Sequence, residues 1–229
     1  MMLQELRAEV LATTRRMVAE KLTLGTGGNV SARDRESGHA VITPSAVDYE
    51  TMREDDLVVV DLDGRVVEGR WKPSNETPMH TIFYRERPEV GAVVHTHAPY
   101  ASVFAVTGEP VPLVIMEAAL CLGRPVAVAP YRRPATEELG RIALETMGGG
   151  VAVVLAQHGL ITVGGDLGQA YASSAAAEFS ARLTLMARSA GRTPRELDQE
   201  EVELLRRSYL ENYRPSAVTP GDTHQSETH

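Results

Sequence analysis

The stretch Val90-Gly91-Ala92-Val93-Val94-His95-Thr96-His97 decides how this chain is read. Its β-branched run suits a strand covered on both faces, because only such a strand accommodates apolar side chains at successive positions. Strand side chains alternate, so His95 and His97 share one face and can reach one metal ion. Imidazole is a preferred zinc ligand. The competing account is two unrelated histidines, one packed in the core and one solvated.

The situation recurs downstream. Val151-Ala152-Val153-Val154-Leu155 reads as a second buried strand, and Leu160-Ile161-Thr162-Val163 as a third that follows it closely, with His158 between them. Three histidines at the ends of apolar strands are better explained by one shared site than by three separate packing accidents. His39, His224 and His229 lack that setting.

Elsewhere the periodicity predicts an amphipathic helix over 2–22, short strands at 40–43 and 57–61, and a hairpin through Asp61-Leu62-Asp63-Gly64 to Val66–Val67. Further helices are expected over 76–86, 99–106, 135–147, from Asp166 as a capping residue to about 190, and over 197–212, with a strand at 126–129. Close strand pairs alternating irregularly with helices imply an α/β fold around a mixed or antiparallel sheet. One domain is expected over 1–213, and the polar, Pro-containing segment 214–229 reads as a flexible C-terminal tail.

Composition narrows the function classes. The chain has 229 residues, 43% of them hydrophobic and 24% charged, which suits a globular core and excludes wholesale disorder. A formal charge of -8 argues against nucleic acid or an anionic membrane as partner. The single cysteine, Cys121, excludes an internal disulfide framework, and its apolar neighbours point to packing. Glu5, Arg7 and Glu9 interrupt any secretory h-region, and no apolar run reaches the ~20 residues of a membrane span. A soluble, cytoplasmic protein is the expectation.

Two further segments carry polar groups. Lys72-Pro73-Ser74-Asn75-Glu76-Thr77 opens a helix, with Ser74 as a candidate cap, Glu76 as a candidate fourth ligand and His80, one turn on, as its rival. Gly25-Thr26-Gly27-Gly28-Asn29-Val30-Ser31 is neither a dinucleotide fingerprint nor a Walker loop. Its glycine-rich backbone around Gly28, with Thr26, Asn29 and Ser31, can still present donors to a phosphate, or simply make a tight turn.

Taken together, GTGGNVS at 25–31, ITPSAVDYE at 42–50, KPSNETPMH at 72–80, VGAVVHTHAPYA at 90–101, VAPY at 128–131 and LAQHGLITVG at 155–164 resemble the class II aldolase/epimerase/adducin-head family. The similarity is to its L-fuculose-phosphate aldolase-like branch, over roughly residues 5–190. The resemblance implies a single three-layer α/β/α domain around a mainly antiparallel sheet, assembled as a homotetramer with active sites at subunit interfaces. It implies a zinc ion, or manganese or cobalt, held by Glu76, His95, His97 and His158. Phosphate donors then fall at Asn29, Ser45, Ala46, Ser74 and Asn75, beside the loop residues Thr26 and Gly28. The implied activity is cleavage of a small ketose 1-phosphate, L-fuculose-1-phosphate-like or a 5-deoxypentulose phosphate, to dihydroxyacetone phosphate and an aldehyde.

The chain departs from the family pattern at three positions. Ala46 replaces a glycine, Asn75 replaces a serine, and Met116 stands where fuculose aldolases have a tyrosine proton donor, with Glu117 beside it. Family epimerases carry Asp at the Glu76 position, so Glu76 favours aldol cleavage with that carboxylate as ligand and acid/base. Glu117 instead resembles the glutamate of methylthioribulose-1-phosphate dehydratases, which makes dehydration the alternative, followed by 4-epimerisation. An adducin-like binding module has no need of the four ligands retained here.

Overall fold

The expected strand at 90–95 runs from Ala92 to Thr96 (β5) in the middle of an eight-stranded sheet. The computed structural model describes residues 1–212, and the expected tail at 214–229 with His224 and His229 lies outside them. The other strands are β1 (Asn29–Arg33), β2 (Ala40–Ile42), β3 (Val58–Val60), β4 (Val66–Glu68), β6 (Val128–Ala129), β7 (Ala152–Leu155) and β8 (Gly159–Gly164). The helices are α1 (Gln4–Ala19), α2 (Thr77–Glu86), α3 (Pro99–Thr107), α4 (Met116–Leu122), α5 (Glu137–Met147), α6 (Leu167–Ser189) and α7 (Gln199–Asn212).

The sheet order is β4-β3-β2-β1-β5-β8-β7-β6, antiparallel at every pair except β6 with β7. It is the mainly antiparallel α/β architecture expected. Alternation along β5 divides two cores. Ala92 and Val94 join residues of α1, α3, α4 and α6 in the larger core, whereas Val93 joins residues of α2 and α5 in the smaller one. Thr96 turns to the larger side, where its hydroxyl meets that of Ser174 on α6 at 3.3 Å. His95, in phase with Val93, therefore points at the start of α2.

Local chemistry explains several element ends. Asp166 caps α6 by accepting from the Gln169 amide at 2.8 Å, as expected. Gly64, at φ 82, makes the turn before β4. Cys121 is half-buried on α4 against the larger core, and burial pushes its thiol up. Two elements were not foreseen: β1, whose first residues were read as part of the glycine loop, and α4, whose seven residues are too few to show a helical period. No described helix is long and apolar enough to cross a membrane.

Arg7 is a buried cation inside this framework, only 1% exposed. Its guanidinium donates to the carbonyls of Met2, Glu54 and Leu57 and pairs with Glu68 Oε1 at 2.9 Å, tying α1 to the β3–β4 edge. A buried charge is tolerated only when its donors are occupied. Arg7→Leu would orphan those carbonyls, and should lower the free energy of unfolding in urea by about 3 kcal/mol.

Candidate metal centre

Strand pairing assembles the site. His95 lies opposite Asn29 of β1 and opposite Ile161 of β8. His158 occupies the three-residue turn between β7 and β8, where Leu155 pairs with Gly159. Gln157 adopts φ 55 within that turn, a left-handed conformation unusual for a residue with a side chain, and its amide is held by the Ala105 carbonyl at 2.9 Å. The turn lies directly against β5. A Cβ on Gly159 would sit 2.4 Å from the Thr96 carbonyl and 2.9 Å from the His97 ring. Only glycine permits that approach.

As a result His95, His97 and His158 turn their ring nitrogens toward one another, with candidate ligand atoms all within 4.8 Å. His95 Nδ1 faces the Leu160 carbonyl at 3.0 Å, which requires the N–H there and leaves Nε2 to take up a proton or a metal ion. That Nε2 lies 3.2 Å from His97 Nε2 and 3.1 Å from Glu76 Oε2, while His158 Nε2 lies 3.2 Å from Glu76 Oε1. Tetrahedral zinc with ligands at about 2.0–2.1 Å spaces its donors roughly 3.3–3.4 Å apart. These three separations are close to that size, and the candidate atoms of the three imidazoles lie within 4.8 Å of one another.

Electrostatics favour a cation at this point. Burial alone raises the Glu76 carboxyl, but His95 above all, then His158 and Asn29, hold it well below the ordinary carboxylate range. Burial lowers His95, yet the facing carboxylate reverses that and raises it. Burial and the neighbouring His95 push His97 down to about 4, and burial with His95 does the same to His158. A carboxylate and two neutral imidazoles thus converge on His95, where a proton or a metal ion satisfies them. Glu76 Oε1 and His158 Nδ1 are buried without a hydrogen bond, and a metal ion would occupy the Glu76 oxygen.

The remaining expected residues distribute around the cluster. Asn29 Nδ2 donates to Glu76 Oε2 at 2.9 Å. The loops carrying Ser45 and Ser74 are zipped together. Ser45 Oγ donates to the Pro73 carbonyl at 3.0 Å and accepts from the Asn75 amide at 3.1 Å, and the Ser74 amide reaches the Thr43 carbonyl at 3.0 Å. Ser74 Oγ accepts from the Glu76 amide at 3.2 Å, but α2 begins at Thr77 with Glu76 in the cap position, so Ser74 is not the cap expected of it. Ala46 has φ 58, which accounts for the glycine at its position in the family pattern. Gly28 is held by the Tyr49 hydroxyl on its carbonyl at 2.6 Å, and Thr26 is exposed at the loop tip. A Cβ on Gly27 would meet His97 Nδ1 at 2.8 Å, so this loop borders the histidines.

Two residues stand apart. His80 uses both ring nitrogens on Asn29 and Ser31 and turns neither to the cluster, so it is no rival to Glu76 as a ligand. Glu117 is exposed on α4, where its charge is felt by Cys121 rather than by Glu76. Sequence reasoning missed Ser31 as a buried partner of His80. The N-x-S alternation from Asn29 on β1 was the available signal.

The model of the class II aldolase and adducin N-terminal domain family matches residues 8–185. The chain belongs to this family. It is 39% identical over 209 residues to a 5-deoxy-D-ribulose 1-phosphate aldolase of Bacillus thuringiensis serovar kurstaki, covering 91% of this chain and 97% of that protein. It is 34% identical to an L-ribulose-5-phosphate 4-epimerase of Salmonella paratyphi B, covering 94% of this chain and 98% of that one. Among solved structures, an L-fuculose 1-phosphate aldolase superposes with a TM-score of 0.85 at 37% identity, over 90% of this chain and 96% of that one.

Within this class II aldolase domain, the contact between the 156–158 turn and β5 is the feature that holds the three imidazoles together. Gly159→Ala should force β8 away from Thr96, cost about 3 kcal/mol in urea unfolding, and abolish binding of a divalent metal at the cluster.

Proposed function

We propose that this protein is a divalent-metal aldolase that cleaves a small ketose 1-phosphate to dihydroxyacetone phosphate and an aldehyde. The observation that carries the proposal is the convergence of three imidazoles and the buried Glu76 carboxylate on one point, with atomic separations of 3.1 and 3.2 Å. A 5-deoxypentulose 1-phosphate is the preferred substrate class, on the strength of the 39% identical relative named for that activity. Zinc is the preferred ion, with manganese or cobalt as substitutes, since three imidazoles and one carboxylate suit it.

The metal, when bound by Glu76, His95, His97 and His158, supplies Lewis-acid stabilisation of the charge that develops at the ketone oxygen. The protein's own groups do the rest. Breaking the carbon–carbon bond leaves the three-carbon phosphate half as an enediolate, which must gain a proton on carbon. Glu76, ionised at rest, would deliver it after taking up the proton that the substrate hydroxyl gives up as it becomes the aldehyde carbonyl; Oε2 is tethered by Asn29, while Oε1 has no hydrogen bond and would be freed for the transfer once substrate takes its place at the metal. The loop pair with Ser45, Ala46, Ser74 and Asn75, together with Thr26, Gly28 and Asn29, forms the phosphate side of the pocket. Residues 1–213 act as the catalytic domain, with 214–229 as a tail.

A cytoplasmic homotetramer with active sites between subunits completes the proposal. The support for an assembly is exposed apolar surface on α3, the helix that follows His97, and on α6 against which it packs: Tyr100, Val103 and Val106 on the first and Phe179 and Met186 on the second. Glu117, exposed on α4, would then act across such an interface. Methylthioribulose-1-phosphate dehydration through Glu117 is the second reading, and the 34% identical relative named as an epimerase keeps 4-epimerisation third.

Elemental analysis should find about one divalent metal per chain, lost in His95→Ala. A panel of ketose 1-phosphates should release dihydroxyacetone phosphate in a coupled reductase assay. Loss of water from methylthioribulose 1-phosphate with no cleavage of any ketose would instead establish the dehydratase. Glu76→Gln should keep the fold and much of the metal, because three histidines suffice for a catalytic zinc site, yet lower turnover by roughly 10²–10⁴-fold. Glu117→Gln should cost less; the reverse ranking moves proton transfer to Glu117.

A further inference from the structure

We propose that His80 is a positioning residue that orients the Asn29 carboxamide and, through it, the Glu76 carboxylate toward the three histidines. The inference rests on the reading of Glu76 as a metal ligand and names the side chains that hold it in place.

The geometry is a ladder. Glu76, His80 and Tyr84 succeed one another at four-residue spacing along one stripe at the start and body of α2. Asn29 and Ser31 lie two apart on one face of β1. The two sets interleave. Asn29 Nδ2 lies 2.9 Å from Glu76 Oε2, His80 Nε2 lies 2.5 Å from Asn29 Oδ1, Ser31 Oγ lies 2.7 Å from His80 Nδ1, and Tyr84 Oη lies 2.6 Å from Ser31 Oγ. His80 is fully buried, Ser31 and Tyr84 are each 1% exposed, and Asn29 is 5% exposed.

Hydrogen-bond valence leaves one direction for this ladder. An ionised carboxylate only accepts, so Asn29 must donate to it, and its Oδ1 therefore faces His80. His80 Nε2 must then carry the proton and Nδ1 must accept, which makes Ser31 the donor to Nδ1 and Tyr84 the donor to Ser31. The direction follows from the charge at one end and does not depend on which amide atom is labelled oxygen. A carboxamide is nearly symmetric in shape. Without the His80 donor, the flipped Asn29 would set its oxygen against Glu76 Oε2, in a dry site where an unpaired acceptor is costly. His80 thus holds, from the far side, the orientation that the carboxylate imposes, by giving Asn29 Oδ1 a donor, and Ser31 and Tyr84 select its tautomer.

Competition for Zn²⁺ against a chromophoric chelator tests the assignment independently of any sugar phosphate. His80→Phe keeps the bulk and removes both nitrogens, and should weaken Zn²⁺ binding about 10-fold, the lower end of the effect of losing a direct partner of a metal ligand, because His80 acts one residue further back through Asn29. His80→Gln sets an amide N–H at the place of Nε2 and should stay within about threefold of wild type. His80→Asn reaches only toward Ser31 and should lose affinity as His80→Phe does; it makes the same comparison if the Phe variant does not fold. Zn²⁺ affinity within twofold of wild type in His80→Phe or His80→Asn overturns the assignment, as does His80→Gln falling as far as they do. Wild-type protein that binds Zn²⁺ but cleaves no ketose 1-phosphate would refute the aldolase reading alone, with the affinity ranking still deciding His80. Wild-type protein that binds no Zn²⁺ overturns both.

Discussion

The close approach of β5 and β8 at the level of Thr96 and Gly159 is the constraint on which the active end of the molecule depends. A Cβ there would come within 2.4 Å of a carbonyl, so the two strands meet at a spacing that no other residue allows. Because β8 begins at Gly159, the residue before it, His158, is carried to the side of His95 and His97. The neighbouring β1 pairs with β5 on the opposite edge and brings Asn29 level with His95. The two antiparallel junctions that flank β5 thereby gather side chains from sequence positions 29, 95, 97 and 158.

The fourth element is the start of α2, and its role is electrostatic. Glu76 stands just before the helix begins, buried against three imidazoles. A carboxylate in such a place is expensive unless a positive charge answers it. Two of the imidazoles are held neutral by burial and by His95, so the positive charge has to come from His95 or from an ion at their common focus. The same arrangement, a buried carboxylate set against three imidazoles, makes the cluster receptive to a cation. Local strain at Ala46 and Gln157, both with positive φ, belongs to the same end of the molecule, as stored strain at functional ends generally does.

Around this centre the polar groups are layered by how freely they can move. Asn29, Ser31, His80 and Tyr84 form a buried, directional chain behind Glu76. The Ser45 hydroxyl and the backbone amides of Ser74 and Asn75 tie two loops together at that edge. Thr26 at the glycine-loop tip and Glu117 on α4 face outward. A rigid, dry carboxylate beside an open rim is the division of labour expected of a site that must hold an ion and still admit a substrate.

Much of the fold was legible along the chain. The buried strands β5, β7 and β8, the hairpin at Gly64 and the Asp166 cap all declare themselves through short-range patterns, because β-branching, turn glycines and capping side chains act within a few residues. The i, i+2 spacing of His95 and His97 likewise placed both on one face before any partner was known. Strand β1 was hidden. Its Asn, Ser and Arg are strand-compatible only because β2 and β5 flank it and satisfy its backbone. Whether His80 or Glu76 faces the histidines was equally undetermined, since both sit one turn apart on the same stripe of α2. Packing against β1 decided it: Ser31 and Asn29 occupy both nitrogens of His80, leaving Glu76 alone at the centre. Sequence by itself determined which residues are chemically able to hold an ion, because that is a property of side chains and spacing. Tertiary structure decided which of them converge, because convergence depends on strand pairing and on hydrogen-bond valence between segments far apart in the chain.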